Sequence, residues 1–450
     1  MVHEKDLALL VDLYELAMAQ AYWAEGMHDT AVFSLFFREL PESRNFMLAC
    51  GQQQVATVIE TLKFSREHIK RLESLDRFQP GFLEWLGKFR FSGHIRAVPE
   101  GTPLFPQEPL LEIEAPIAEA QILESLVMNY VHLETVLASK AVRVKLAAGD
   151  RPVVDFGMRR MHGMDAAHRS ARAFRLAGLA GTSNVLAGLD FGLTVSGTMA
   201  HSFVQAYSDE MDAFRVYARL YPGTTLLVDT YDTRRAVRRI AEWLKQDPEA
   251  RVSAIRLDSG DLVAESRDCR AILDEAGLED IRIMASGGQD EYEIARLTAA
   301  DAPIDGFGVG TAIGVSNDAP ALELAYKLTE YAGQPRMKNS SGKQSLPGAK
   351  QVFRQHAPDG QMRGDVIGGR EEVFDGEPLL SPVMKHGVVL LDAIHSPDDQ
   401  AHYAMAAIRA LPPELRELAP AGRFPVIISR YLKALQADTL RRMQRGLSSS

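Results

Sequence analysis

His201 closes the apolar run LTVSGTMAHS. An imidazole titrates near neutral pH and can act as a base or as a nucleophile toward phosphorus. Its neighbours Ser196, Gly197, Thr198 and Ala200 are small and leave room beside it for something bulky. A lone histidine can equally be structural or simply exposed. Arg256 and Asp258 stand two apart on the run SAIRLDSGD, so on a strand their side chains share one face. They form either a structural ion pair or a ligand contact at the strand end, since buried charge needs a partner. Asp229 and Asp232 of LLVDTYDT read as helix caps. Arg159 and Arg160 follow DFG after another apolar run, where guanidinium forks suit phosphate or carboxylate unless they are plain solvated surface. Phe156 beside them reads as core or as a platform for an aromatic ligand.

Two glycine clusters add anion chemistry. Gly287 and Gly288 of SGGQDE, and Gly308, Gly310 and Thr311 of FGVGTAIG, each lie between an apolar run and a helical stretch. Backbone N–H groups at such a turn attract phosphate, and glycine lets it come close. The same glycines also suit an ordinary tight turn. A dinucleotide fingerprint fails, because Ile313 stands where the third glycine should follow Gly308 and Gly310. There is no GxxxxGK[ST] loop, HExxH, GxSxG elbow or EF-hand loop.

The elements that must position these residues alternate along the chain. Residues 136–335 carry seven short apolar runs, each closed by Gly, Asp, Ser or Thr and followed by a helical stretch. Such runs predict buried parallel strands in βα units. Seven of them favour an α/β barrel, whose functional groups gather at the C-terminal strand ends; a doubly wound open sheet is the competing architecture. Residues 1–135 predict a mixed α/β domain. It opens with an amphipathic helix over Asp6–Glu25 bearing Leu10, Tyr14, Ala17 and Ala21 on one stripe, and continues with the strands AVFSLFFREL, FRFSGHIRAVPEGTPLF and PLLEIEAP. Residues 336–450 begin with a polar, Gly-rich stretch, continue with the strands DVIGG and GVVLL, and end in helices interrupted by LPPEL and RFPVIIS. The final GLSSS is expected to be disordered.

The chain has 450 residues and a net charge of −10. An acidic surface argues against nucleic-acid or anionic-membrane partners, so an anionic ligand needs a local site. Cys50 and Cys269 are far apart and suggest neither a disulfide framework nor a zinc site. No basic-then-apolar leader opens the chain, and no uncharged apolar run approaches the roughly 18 residues of a membrane span, so the cytoplasm is the expected compartment.

Taken in order, TSNVLAG, VSGTMAHS, RLDSGD, ASGGQDE and GFGVGT resemble the nicotinate phosphoribosyltransferases. VDLYELAMAQAYW near the start and LPPELREL through RFPVIIS near the end are similar to the same family, so the resemblance spans almost the whole chain. It implies an irregular α/β barrel with an N-terminal mixed-sheet domain, to which the C-terminal region partly returns. The implied reaction couples nicotinate to 5-phosphoribosyl 1-diphosphate, with ATP, on the salvage route to NAD. The implied assembly is a homodimer with its site near the subunit boundary.

By that resemblance His201 is the residue phosphorylated by ATP, and Tyr14 contacts the nicotinate ring, often from the neighbouring subunit. Thr198 and Arg256 match nicotinate-binding positions, and Thr311 matches a phosphoribosyl-binding one. Phe156 and Arg159 sit where related nicotinamide enzymes have a ring-stacking aromatic and an active-site arginine. Those relatives carry an acidic residue at Ser183; nicotinate is itself anionic and would be repelled there, so Ser183 favours the acid over the amide. The expected division of labour places Gly287, Gly288, Gly310 and Thr311 on the phosphate, and Asp258 on diphosphate-bound Mg²⁺ and ribose hydroxyls. The rivals are a nicotinamide-using enzyme, a glycoside hydrolase barrel without an evident carboxylate pair, and a non-catalytic nucleotide-sensing barrel.

Overall fold

The structure is a computed structural model that describes residues 4–340 and 344–448. These form two compact units, one made of the described residues up to 139 and from 321 onward, and one of residues 140–320.

The first unit is built on a seven-stranded sheet in which Thr30–Phe37 pairs antiparallel with Leu111–Pro116 and with Leu324–Tyr331. Ser381–Lys385, from the last third of the chain, pairs with His94–Ala97 in the same sheet. The N-terminal helix departs from expectation. It is a 3₁₀ turn, Glu4–Leu9, followed by an α-helix, Leu13–Ala24. Its Leu10, Tyr14, Ala17 and Ala21 stripe faces solvent. The helix buries Leu16, Ala19 and Glu15. A carboxylate is tolerated on that face because the Ser125 N–H and hydroxyl both donate to Glu15 Oε1.

Two further expectations shift in this unit. The polar stretch after residue 335 ends in a strand, Lys350–His356, paired antiparallel with Met362–Gly369; its residues 341–343 lie outside the described residues. The tail expected to be disordered continues the helix Arg430–Ser448, and residues 449–450 lie outside the described residues.

The second unit holds the parallel sheet. Its strands are β1 (Val153–Asp155), β2 (Gly181–Thr182), β3 (Thr224–Leu227), β4 (Val252–Leu257), β5 (Arg282–Ala285) and β6 (Gly306–Val309). Val153, Leu226, Leu227, Ile255, Leu257, Ile283, Phe307 and Val309 are fully buried, as strands covered on both faces require. The helix Thr233–Gln246 shows how the covering layer forms. Asp232 caps it by accepting from Arg235 N–H at 2.8 Å, and Ala236, Val237, Ile240, Ala241 and Trp243 make its buried stripe. Burying one such isoleucine contributes about 2 kcal/mol.

The strand order is β2-β1-β6-β5-β4-β3. Every strand pairs with its chain neighbour except across β2/β3, and β6 returns to β1. A doubly wound sheet reverses direction at a switch point; this order is the cyclic one of a barrel, left open between β2 and β3. The open seam lies where a seventh strand was expected. The run LTVSGTMAHS supplies only the isolated Thr182–Val195 bridge there. Its small residues Ser196, Gly197 and Thr198 run on in irregular backbone to the short helix His201–Gln205.

Candidate active site

Five of the six strands deliver a polar or aromatic side chain at the C-terminal end, and the sixth delivers a glycine. Phe156 follows β1, Ser183 follows β2, Asp229 lies just beyond β3, Asp258 follows β4, Ser286 follows β5 and Gly310 follows β6. Together with the seam segment, these ends enclose a cleft of about 650 Å³. That size suits a nucleotide-sized ligand.

At the floor, Arg256 extends from β4 and is nearly buried. Its Nη1 donates to Ser286 Oγ at 3.1 Å and to Asp258 Oδ1 at 3.3 Å, while Nη2 donates to the Met199 carbonyl at 2.7 Å. Ser286 Oγ donates in turn to Asp258 Oδ1 at 2.5 Å. Burial pulls the Arg256 pKa below its usual value, against the pull of Asp258 and Asp229. Arg256 Nε is buried and has no protein partner. The guanidinium carbon lies 6.0 Å from the centre of the Phe156 ring.

His201 approaches from the seam. Its Nδ1 lies 3.0 Å from Thr230 Oγ1, and its Nε2 lies 3.9 Å from Asp258 Oδ2. The imidazole is therefore oriented by one neighbour and points its other nitrogen at a carboxylate. Asp229 shapes this corner from beneath, its Oδ2 accepting from Asp258 N–H at 2.8 Å and Ser259 Oγ–H at 2.7 Å. Of the two aspartates read as caps, Asp232 is one and Asp229 is not.

The two glycine turns follow the neighbouring strands β5 and β6, and both line the cleft. Gly287 has φ +75° and Gly288 has φ +64°, which only glycine adopts at low cost. Gly310 and Thr311 begin the short helix that follows β6. Gly308 has a different job from its neighbours: a Cβ there would lie 2.4 Å from Phe156 Cε2, so its absence lets the ring lie flat on β6.

The cleft brings together every expected site residue except one. Phe156, Arg159, Ser183, Thr198, His201, Arg256, Asp258, Gly287, Gly288, Gly310 and Thr311 all line it. Tyr14 does not; it belongs to the first unit and is half-exposed.

Three participants escaped the sequence reading. Thr230 orients His201, and Ser286 bridges Arg256 to Asp258. Asp155, at the end of β1, accepts from Gly157 N–H and from Thr182 Oγ–H, each at 2.7 Å, and so fixes the turns carrying Arg159 and Ser183. Burial pushes its pKa up. An aspartate directly after the apolar pair of VVDFG was the available signal.

No group of three or more His, Cys, Asp or Glu able to hold a metal occurs among the described residues. Asp258 offers one oxygen not engaged by Arg256 and Ser286, and Asp229 Oδ1 is buried without a protein partner. One or two carboxylates fit Mg²⁺ that arrives on a substrate's phosphates, and do not make a cage for a resident ion. No described helix is long and apolar enough to cross a membrane.

Comparison with known proteins agrees with this geometry. Residues 9–132 match the nicotinate phosphoribosyltransferase (NAPRTase) N-terminal domain, and residues 152–353 match the nicotinate phosphoribosyltransferase (NAPRTase) family. A nicotinate phosphoribosyltransferase of Mycobacterium tuberculosis is 51% identical over 424 residues, covering 94% of this chain and 91% of the relative. One of Bacillus subtilis is 40% identical over 360 residues, covering 78% and 74%. The crystal structure of human nicotinic acid phosphoribosyltransferase superposes with a TM-score of 0.85 at 28% identity, covering 95% of this chain and 99% of the human one. With half its residues shared along nearly its full length, the chain belongs to the nicotinate phosphoribosyltransferase family.

Proposed function

We propose that the cleft joins nicotinate to 5-phosphoribosyl 1-diphosphate, giving nicotinate mononucleotide and diphosphate for NAD salvage, with ATP hydrolysis coupled through His201. The observation that carries this reading is the placing of Arg256, Asp258 and His201 together between two glycine turns.

The pyridine nitrogen attacks the anomeric carbon as the bond to diphosphate breaks, and the electron pair leaves with diphosphate. Positioning and electrostatics supply most of the acceleration in such a step. Phe156 offers the ring a flat face, and Arg256 with Thr198 and Arg159 receives the carboxylate. The unpartnered Nε of Arg256 supports that assignment. Gly287, Gly288, Gly310 and Thr311 present backbone N–H groups to the phosphates. Asp258 meets the ribose hydroxyls and would hold Mg²⁺ carried on the diphosphate, which neutralises the leaving group's charge.

Phosphorylation of His201 adds charge and acceptor oxygens beside the cleft, so ATP energy enters through affinity for substrate and product. At Ser183 a hydroxyl, in place of a carboxylate, lines the cleft, which supports the acid over the amide. The exposed apolar residues Leu10, Leu13, Tyr14 and Met18 support a homodimer in which Tyr14 serves the neighbouring subunit's ring site. The cytoplasm is the compartment where its substrates and ATP meet.

Turnover measured with nicotinate and with nicotinamide at equal concentration tests the reading. The acid is expected to be used faster, with one diphosphate released per mononucleotide. Preference for the amide would overturn the role of Ser183, and failure with both would overturn the function.

A further inference from the structure

Lys140 is 1% exposed and takes no part in lining the cleft. Its ammonium lies 2.5 Å from Glu291 Oε2 and 2.8 Å from Asp318 Oδ1. Glu291 is fully buried, and its other oxygen accepts from Arg143 Nε at 3.0 Å. Arg143 stands one helical turn beyond Lys140 on the helix Glu124–Ala148, and it also donates to the Tyr292 hydroxyl at 3.1 Å. Two cations therefore meet two carboxylates, the balance that burial at this depth requires.

The two carboxylates follow two neighbouring strands, β5 and β6. Glu291 opens the helix Glu291–Ala299, directly after the lining residues Gly287–Asp290. Asp318 directly follows Asn317, which lines the cleft together with Gly310, Thr311 and Ala312. One ammonium thus ties the helix that opens after the first glycine turn to the segment that follows the short helix after the second.

We propose that Lys140 is a positioning residue for the phosphoribosyl substrate: held between Glu291 and Asp318, it sets the spacing of the two turns that grip the phosphates. This rests on the reading of those turns as the phosphate cradle. Small errors in such spacing are costly, since misplacement by about 1 Å can lower rates by as much as ~100-fold. A pair serving stability alone would affect unfolding without touching substrate affinity. Lys140→Met keeps the volume and leaves Arg143 to neutralise Glu291, but it takes the cation from Asp318. Asp318→Asn cuts the same arm from the less buried side, where Asp318 is 21% exposed, and guards against a folding failure in the first variant.

Amide hydrogen exchange on the unliganded protein, paired with steady-state kinetics, tests the proposal. Both variants should exchange faster in residues 286–293 and 310–318. They should raise KM for phosphoribosyl diphosphate about tenfold while kcat stays within about threefold. The double variant should be no worse than Lys140→Met alone. Unchanged exchange in both segments overturns the proposal, as does faster exchange with an unchanged KM. If the wild type does not use phosphoribosyl diphosphate, the reading of the cradle falls instead, and exchange still decides whether Lys140 joins the two turns.

Discussion

The carbonyl oxygen of Asp258 occupies the space where a side chain on Gly287 would begin; a Cβ there would lie 1.8 Å away. Gly288, the next residue, has open space at the same point. Adjacent glycines thus serve different ends, one to let β4 and the turn after β5 touch, the other to keep the cleft clear.

Gly287→Ala should therefore destabilise the protein by about 2 kcal/mol or more, adding backbone collision to left-handed strain. Gly288→Ala should cost only about 1 kcal/mol of strain, yet raise KM for phosphoribosyl diphosphate because its methyl group enters the cleft. Thermal unfolding and steady-state kinetics on the two variants check the contrast.

Gly308→Ala places a methyl group where the Phe156 ring now lies. Overpacking of this kind costs about 1–3 kcal/mol, and the ring must swing to relieve it. KM for nicotinate should rise more than KM for phosphoribosyl diphosphate. Equal changes in both would place Phe156 outside the ring site.

Glu15 gives the stability a pH dependence. Burial pushes its carboxyl up to about 7, although the Ser125 hydrogen bonds oppose the shift. A raised folded-state pKa means that its contribution is full below the ordinary value near 4.5 and is lost as pH rises through about 7. Glu15→Gln keeps an acceptor for Ser125 and removes the titration. Its stability relative to wild type should therefore climb between about pH 5 and pH 8, by on the order of 1–2 kcal/mol. Denaturant unfolding across that range checks the slope, and a constant difference would contradict it.

Much of the cleft was legible from the sequence because a parallel strand places its chemistry at one end. Apolar runs closed by polar residues mark those ends directly, as SAIRLDSGD does for Arg256 and Asp258. Spacing could not tell Asp229 from Asp232, since capping depends on which carboxylate reaches a free helix N–H. Nor could periodicity reveal that LTVSGTMAHS leaves the sheet after a single bridge; the open seam is a property of the neighbouring strands. Where the stripe of the N-terminal helix faces was hidden for a related reason. Apolar spacing shows that a face is buried by something, and here the core took the face holding Glu15, satisfied by a serine 110 positions away. Gly308 looked like a phosphate glycine because its role depends on where Phe156 packs.

The most direct measurement is release of ADP from ATP by wild type and by His201→Ala, with and without nicotinate, alongside formation of nicotinate mononucleotide. Nicotinate should stimulate ATP hydrolysis in the wild type. The variant should lose that stimulation while retaining slow synthesis without ATP. Normal ATP hydrolysis by His201→Ala would contradict the assignment of the ATP chemistry to this histidine.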